Sequence, residues 1–591
     1  MNARESDDLI FANFSFKNIW RIMAYVKPYR LLFVLSCVLL LAAIGIGLYA
    51  PYLVSQILVT GSEVVKNQGD WTVIVLSLAT TYLLVQVLGF VVEVGGALLS
   101  EKIGQQVIYD IRVQLFSHLL KKPLSFFHRQ PVGRLVTRVS FDLENISEMF
   151  TNGIIALFVD LIRLVALSAV LLVMDWRMGV MTLLSIPIMG WITFVFLKKS
   201  RGVYLKERQA TAAINAFLAE RVTGLKIIQI FAARLRQMKK MGELVRHHLT
   251  FSLKMLHFNS WYSPGLAYVG HVIKFLVIFL GGYLLLKKEI SWQVFFYYLW
   301  TMDIFFRPIR DMAVKIDILQ IAMASSERIF HLLDNDEYLD DSQEKVNATI
   351  KGDIIFDKVS FSYIPGSEVL KNISFHVRPK EKIALVGSTG SGKTTIIKLI
   401  RRLYDVNQGT ILIDGVAIKE WQRASLRRKI SSVQQDVTLF SGSLRKNISL
   451  DDPRVTDNDI EEAIRHSGIK NLVDQLPEGL DTDIRERGNL LSVGERQLIS
   501  FSRAMVTSPD ILILDEATSH IDSESEAIIQ KAMTQITADK TCFIIAHRLS
   551  TIQFCDRIFV IEAGQLVESG SHEELIAQQG RYNKFYCSQF I

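Results

Sequence analysis

Residues 382–404 read KIALVGSTGSGKTTIIKLIRRLY. The apolar stretch KIALV predicts a buried strand, and IIKLIRRLY has the apolar spacing of a helix. Between them lies a turn matching G-x4-G-K-[ST], a pattern short enough to arise by chance unless a strand precedes it and a helix follows. Both conditions hold here. In that setting Gly387, Gly390 and Gly392 let backbone N–H groups close around phosphate oxygens at a helix N-terminus. Ser388, Thr389, Ser391 and Thr395 complete the cradle. Lys393 is placed to reach the β- and γ-phosphates of a nucleotide, and Thr394 to ligate Mg2+.

Further along, ILILDE (511–516) is an apolar strand ending in two carboxylates. Asp515 is placed to hold the Mg2+ shell, and Glu516 to polarise an attacking water. Strands such as KIALVG (382–387), ILILD (511–515) and TCFIIAH (541–547) alternate with helical patterns from Ile354 onward. That texture predicts an α/β P-loop nucleotide-binding domain over 351–591.

The first half is made for another solvent. Of the 591 residues, 50% are hydrophobic and only 21% charged. Mean hydropathy is +0.27, high for a chain wholly in water. Six apolar segments lie near 31–54, 71–97, 153–174, 177–197, 261–286 and 291–312. Each approaches the ~20 residues that cross a bilayer core as a helix. They predict an α-helical transmembrane domain over 1–330, followed by a polar, acidic linker at 331–350.

The net charge of +7 could signal nucleic acid or an anionic membrane face. Its placement decides. Lys102, Arg112, Lys121 and Arg129 fall in 98–152, and Lys198, Arg201, Arg208 and Lys240 in 198–260, whereas 55–70 holds only Lys66. By the positive-inside rule both long loops and both termini are cytoplasmic. The lipid bilayer accounts for the charge, and no nucleic-acid partner is needed. FKNIWRIMAYVKPYR (16–30) reads as an amphipathic interfacial helix ended near Pro28. Cys37, Cys542, Cys555 and Cys587 have no metal-ligand spacing and are expected to be reduced.

With these motifs assembled, the whole chain resembles the ATP-binding cassette exporters in their half-transporter form. The resemblance implies an ATPase coupled to transport, with ATP and Mg2+ as cofactors. It implies that Tyr363 in FDKVSFSYIP stacks on adenine and that Gln435 in SSVQQDVTLF contacts Mg2+ and the water. His547 in IIAHRLST would contact the γ-phosphate, and Asp522 in SHID would communicate across a dimer. TDIRERG (482–488) resembles the exporter segment that touches a partner's cytoplasmic loops. FFHRQPVGRL (126–135) and INAFLAERVTG (214–224) resemble the two coupling helices.

One loop departs from the family. LSVGERQ (491–497) stands where LSGGQ is usual, so Ser492 and Gly494 are kept while Val493 and Glu495 are not. In that family the loop grips the γ-phosphate bound by the other subunit. A β-branched Val493 would suit a positive φ poorly, and Glu495 would bring negative charge to a helix end that should attract phosphate. Together with an intact Glu516, and with His520 where a small residue is usual, this resembles the B-type subunit of a bacterial heterodimeric pair. The resemblance implies a multi-pass plasma-membrane protein exporting small amphipathic or lipophilic compounds, beside a different half-transporter with a standard loop.

Six charges lie at or near the spans: Glu93, Asp160, Arg163, Lys274, Asp303 and Arg307. Asp160–Arg163 and Asp303–Arg307 have the spacing to pair on one helix face. Structural pairing is the expectation, with cargo contact as the alternative. A homodimer, an importer, a gated channel and a non-transporting ATPase remain competing readings, the last opposed by the six spans.

Overall fold

The computed structural model describes residues 16–67, 72–338, 346, 348–485, 488–489, 491–515, 523–546 and 549–590. They fall into two compact units, Met1–Leu120 with Val132–Asp336, and Lys121–Pro131 with Glu337–Ile591.

The first unit is helical. The amphipathic N-terminal segment forms α1 (Phe16–Ala24) and a 3-10 turn at Lys27–Tyr29, where the proline stops it. Ile22 and Val26 face inward while Trp20 is exposed. Arg21 makes a bidentate pair with Asp334 at 2.6 and 2.7 Å. Then come α2 (Arg30–Asn67) and α3 (Thr72–Leu120). The 49 residues of α3 span about 74 Å, more than twice a hydrocarbon core of about 30 Å, so this helix continues well beyond any bilayer.

In the second unit's share of this region, a short α4 (Leu124–Arg129) follows. The first unit then resumes, with π-helical turns at Arg138–Asp142 and Met149–Ile154 before α5 (Ile155–Met174). Asp142, at the end of the first wide turn, accepts from Arg328 and from Ser325. The stretch 177–197 is not one continuous helix. A first piece, Trp176–Leu183, is capped by Asp175 and ends before Pro187, whose missing N–H interrupts the ladder, and α6 (Ser185–Thr223) carries on. Gly224 stops α6, and a short α7 (Leu225–Ile230) leads to α8 (Arg234–Leu286). The stretch 214–224, expected as a separate short helix, is instead the end of the 39-residue α6, closed at Gly224.

Five helical runs among the described residues are long and apolar enough to cross a membrane: Lys27–Thr60, Val73–Leu120, Val132–Met174, Trp176–Thr223 and Arg234–Leu286. The sixth, α9 (Trp292–Leu333), carries Asp303, Arg307, Arg310 and Asp311 in its apolar part. Its opposite face is the centre of the core. Tyr297, Tyr298, Met302 and Phe305 are at most 1% exposed and pack on Leu167, Leu171 and Val277. The outward faces are as apolar as the inward ones: Leu84, Phe90, Val173 and Leu286 are all exposed. Water would penalise such a surface, and lipid would not.

Of the six intramembrane charges Asp160, Lys274 and Asp303 pair, with other partners than the spacing suggested, and Glu93 makes no ion pair among the described residues. Asp160 binds Lys315, and Asp303 binds Lys274 at 2.9 Å. Both contacts run between helices, which leaves Arg163 and Arg307 with no ion pair among the described residues. Asp160 and Lys315 are only 16% and 17% exposed. Lys315→Met strands the carboxylate and should cost about 2–4 kcal/mol, read as a lower thermal midpoint in detergent. Adding Asp160→Asn should recover most of that loss. A single variant as stable as the parent would remove the pair from the stability account.

In the second unit, β1 (Ile354–Ile364), β2 (Ser367–Val377), β4 (Gln408–Ile413) and β5 (Val416–Ala417) form an antiparallel sheet ordered β2-β1-β4-β5. The other strands are β3 (Lys382–Val386), β6 (Ile430–Val433), β7 (Ile511–Asp515), β8 (Thr541–Ile545), β9 (Arg557–Glu562) and β10 (Gln565–Gly570). They build a sheet ordered β10-β9-β3-β8-β7-β6, parallel except at the β10 edge. Strands covered on both sides must be apolar throughout, as ILIL and TCFII are. All four cysteines are free. Burial pushes the Cys542 and Cys555 thiols up to about 12, so they pack as apolar groups.

Candidate nucleotide-binding site

In the parallel sheet, Leu385 on β3 pairs with Ile545 on β8, and Ile545 with Asp515 on β7; Leu514 pairs with Val433 on β6. The C-terminal ends of four strands therefore lie along one edge, the usual place for a ligand in such a sheet. From that edge hang the glycine-rich loop after β3, Asp515, and Gln435 two residues past β6. Asp515 is half-buried and Gln435 exposed. Glu516, Asp522, His547 and His520 lie outside the described residues.

The loop conformation needs its glycines. Gly387 has φ +151°, and a Cβ there would sit 2.1 Å from the Ile561 carbonyl oxygen. Gly392, φ +111°, would meet Leu370 at 2.6 Å. The helix that follows, α10 (Lys393–Ile400), is shorter than the run IIKLIRRLY suggests, because Arg402 turns to φ +47° and buries itself with Nη1 on the Trp421 carbonyl at 2.9 Å. Lys393 is 7% exposed, and its ammonium donates to the carbonyls of Gly387 at 2.6 Å and Ser388 at 2.9 Å. Ser391 is 3% exposed, and its Oγ has no hydrogen-bond partner among the described residues. A backbone cradle with an orphaned hydroxyl and a folded-in ammonium fits a polyphosphate. Thr394, exposed beside it, and Asp515 are hard oxygen donors of the kind Mg2+ selects.

Tyr363, at the end of β1, is brought to this loop from thirty residues away. Its hydroxyl lies 3.1 Å from Thr395 Oγ1, and its ring meets Phe361 and Tyr404 edge-on at 4.9 and 5.1 Å. It is 40% exposed, with the Lys398 ammonium 5.4 Å over its ring. Tyr404 was not read from the sequence. Its hydroxyl bonds His128 Nδ1 at 2.7 Å, and α4 is held further by Arg129 and Ser125 on Glu337. A chain of side chains thus leads from α4 through Tyr404 and Tyr363 to Thr395. The only sequence signal was His128 within FFHRQ.

The loop at 491–497 opens α12, counted after α11 (Asp457–Ser467), and α12 spans Val493–Met505. Ser492 caps it: its Oγ accepts from Glu495 N–H at 3.2 Å, and its own N–H donates to the Glu495 carboxylate at 2.6 Å. Neither Val493 nor Gly494 has a positive φ. The expected backbone objection to Val493 therefore falls, since the third position is an ordinary first helical residue. What remains is the charge of Glu495 and a valine side chain 45% exposed. Within TDIRERG, Ile484 is buried and bonds Gly442, while Arg485 turns at φ +57°.

Fold and site together define a membrane-embedded P-loop ATPase. The family model described as the ABC transporter transmembrane region matches residues 33–309, and that described as ABC transporter matches 370–519. The chain is 33% identical over 587 residues to the uncharacterised ABC transporter ATP-binding protein YknV of Bacillus subtilis, covering 99% of this chain and 96% of that protein. It is 37% identical over 498 residues to the probable multidrug resistance protein YheH of the same organism (84% and 74% covered). An ATP-dependent lipid A-core flippase of Desulfotalea psychrophila is 34% identical over 495 residues (83% and 86%). The solved structure of a bacterial Atm1-family ABC exporter with ATP bound shares the fold, with TM-score 0.77 at 23% identity over 95% of this chain and 98% of that one. The chain belongs to the ABC transporters, as a half-transporter exporter that binds ATP and couples its hydrolysis to transport across a membrane.

Proposed function

We propose that this chain moves amphipathic or lipophilic compounds out of the cytoplasm, as one half of a heterodimer with unequal ATP sites in a plasma membrane. Multidrug and lipid relatives support the cargo class. The observation that carries the asymmetry is the Glu495 carboxylate bound across the start of α12. In the chain's own half, Tyr363 stacks on the base and Lys393 with residues 387–395 holds the phosphates. Thr394, Asp515 and Gln435 would hold Mg2+, which when bound would draw charge off the phosphate oxygens. Glu516 takes the proton of the attacking water, and His547 steadies the γ-phosphate. Ser492 and Gly494 face the phosphate held by the partner, with Asp522 close by across the dimer. A homodimer is the second reading, favoured by the unstrained backbone at Val493.

Transport into inside-out vesicles by the chain with its co-purifying partner tests the export. Substrate-stimulated ATPase from a homogeneous homodimer would sink the heterodimer. The loop makes its own prediction. Glu495→Gln keeps the capping box, which glutamine also forms, and removes a charge near a phosphate. A unit charge a few ångströms away is worth on the order of 1 kcal/mol in water and more at a closed interface. Apparent ATP affinity should tighten about five- to tenfold, with an unchanged thermal midpoint. Unchanged affinity would mean the carboxylate never meets the phosphate.

A further inference from the structure

A cavity of about 1360 Å³ lies in the first unit between α6, α8 and α9. That is larger than the roughly 300–1,000 Å³ of an ordinary small-molecule pocket, and its lining is graded along the helices. On the side of the spans it is aromatic. Phe196 and Tyr262 stack there at 4.0 Å with rings 14° apart, and Tyr262 is fixed by Thr193. Toward the cytoplasmic extensions it is charged with a basic excess: Arg201 and Arg208 on α6 and Arg307 and Arg310 on α9 line it, with Asp317 and Glu327 further along α9. Basic side chains outnumber carboxylates in the lining by five to three.

The arginines on α9 are the informative ones. They stand three residues apart on one helix face, where like charges repel. The nearby acids do not relieve them. Asp303 is taken by Lys274 and Asp160 by Lys315, and the three carboxylates of the lining, Asp311, Asp317 and Glu327, make no ion pair with either arginine among the described residues, Asp317 lying near Arg208. Among the described residues Arg307 and Arg310 have no salt bridge or hydrogen bond. A cation at the edge of a span that its own protein leaves unpaired is costly, and guanidinium groups match phosphate and carboxylate oxygens in pairs.

We propose that this cavity binds an anionic amphipath. Its phosphate or carboxylate sits on Arg307 and Arg310, and its apolar body lies against Phe196 and Tyr262. This rests on the export reading and narrows its cargo from amphipathic compounds in general to organic anions. The head would enter from the cytoplasmic side, where the arginines are, and the body from the membrane side.

The test is equilibrium binding without ATP, using the full-length protein in phosphatidylcholine nanodiscs. Dodecyl phosphate should bind at least tenfold more tightly than dodecyltrimethylammonium. Arg307→Ala with Arg310→Ala should abolish that preference, while Arg307→Lys with Arg310→Lys keeps most of it and shows that the fold survives. Arg236→Ala with Lys239→Ala, which removes two charges elsewhere, should leave it unchanged. Competition by phosphatidylglycerol in the disc would identify a lipid source, and competition by phenyl phosphate a water-soluble one. Equal binding of the cation, or an undiminished preference in the double alanine variant, overturns the proposal. Because no turnover is required, a negative result here leaves vesicle transport of other compounds intact, whereas failed transport with retained binding counts against the export reading alone.

Discussion

Glu516→Gln should bind ATP as the parent does and hydrolyse it at least a hundredfold more slowly. In sequence the residue follows Asp515, the last residue of β7, and it is the general base of the proposed mechanism. A carboxylate there can accept a proton from water as that water attacks the γ-phosphate. An amide of the same shape cannot. Removing a positioned general base costs on the order of 10² to 10⁴ in rate, or roughly 3–5 kcal/mol of barrier. The substitution keeps volume and leaves phosphate-binding groups in place, so ATP should still raise the thermal midpoint. ATP-dependent transport should disappear with the hydrolysis. Steady-state ATPase and vesicle uptake check both, and unaltered transport in the variant would overturn the catalytic assignment.

The parts of this site that were legible in the sequence are those the backbone dictates. A glycine at φ +111° with Leu370 against it has no substitute, so Gly392 announces itself in any reading of the chain. The same holds for strands that are apolar throughout because both faces are covered. Side-chain partnerships between distant elements were not legible. Reading Asp303 against Arg307 considers one helix, and nothing in either stretch says that Lys274, 29 residues earlier on a neighbouring helix, will arrive first. Tyr404 was hidden in another way. It sat in an apparent helix that ends early, and its role comes from His128, 276 residues away. The loop at 491–497 divides along this line: the charge of Glu495 could be read, but not that it would close a ring with Ser492.

Lys393→Met should fail one step earlier than Glu516→Gln, at ATP binding itself. The ammonium is 7% exposed and rests on the carbonyls of Gly387 and Ser388, within the loop that would surround the β- and γ-phosphates. When phosphate arrives, the lysine exchanges two neutral acceptors for charged oxygens. Hydrogen bonds to a charged group are worth about 1.5–3 kcal/mol each, so losing two should weaken ATP about 10²- to 10⁴-fold. Methionine retains an apolar stem of similar length and so separates lost charge from lost fold. The readout is stabilisation by the nucleotide. At a hundred times its dissociation constant a ligand adds about 2.7 kcal/mol to the native state, and at or below that constant it adds less than about 0.5. At one ATP concentration, then, the parent and Glu516→Gln should melt higher with ATP than without, and Lys393→Met should show no shift. Equal shifts in all three proteins would take Lys393 out of the phosphate site, whatever became of the activity.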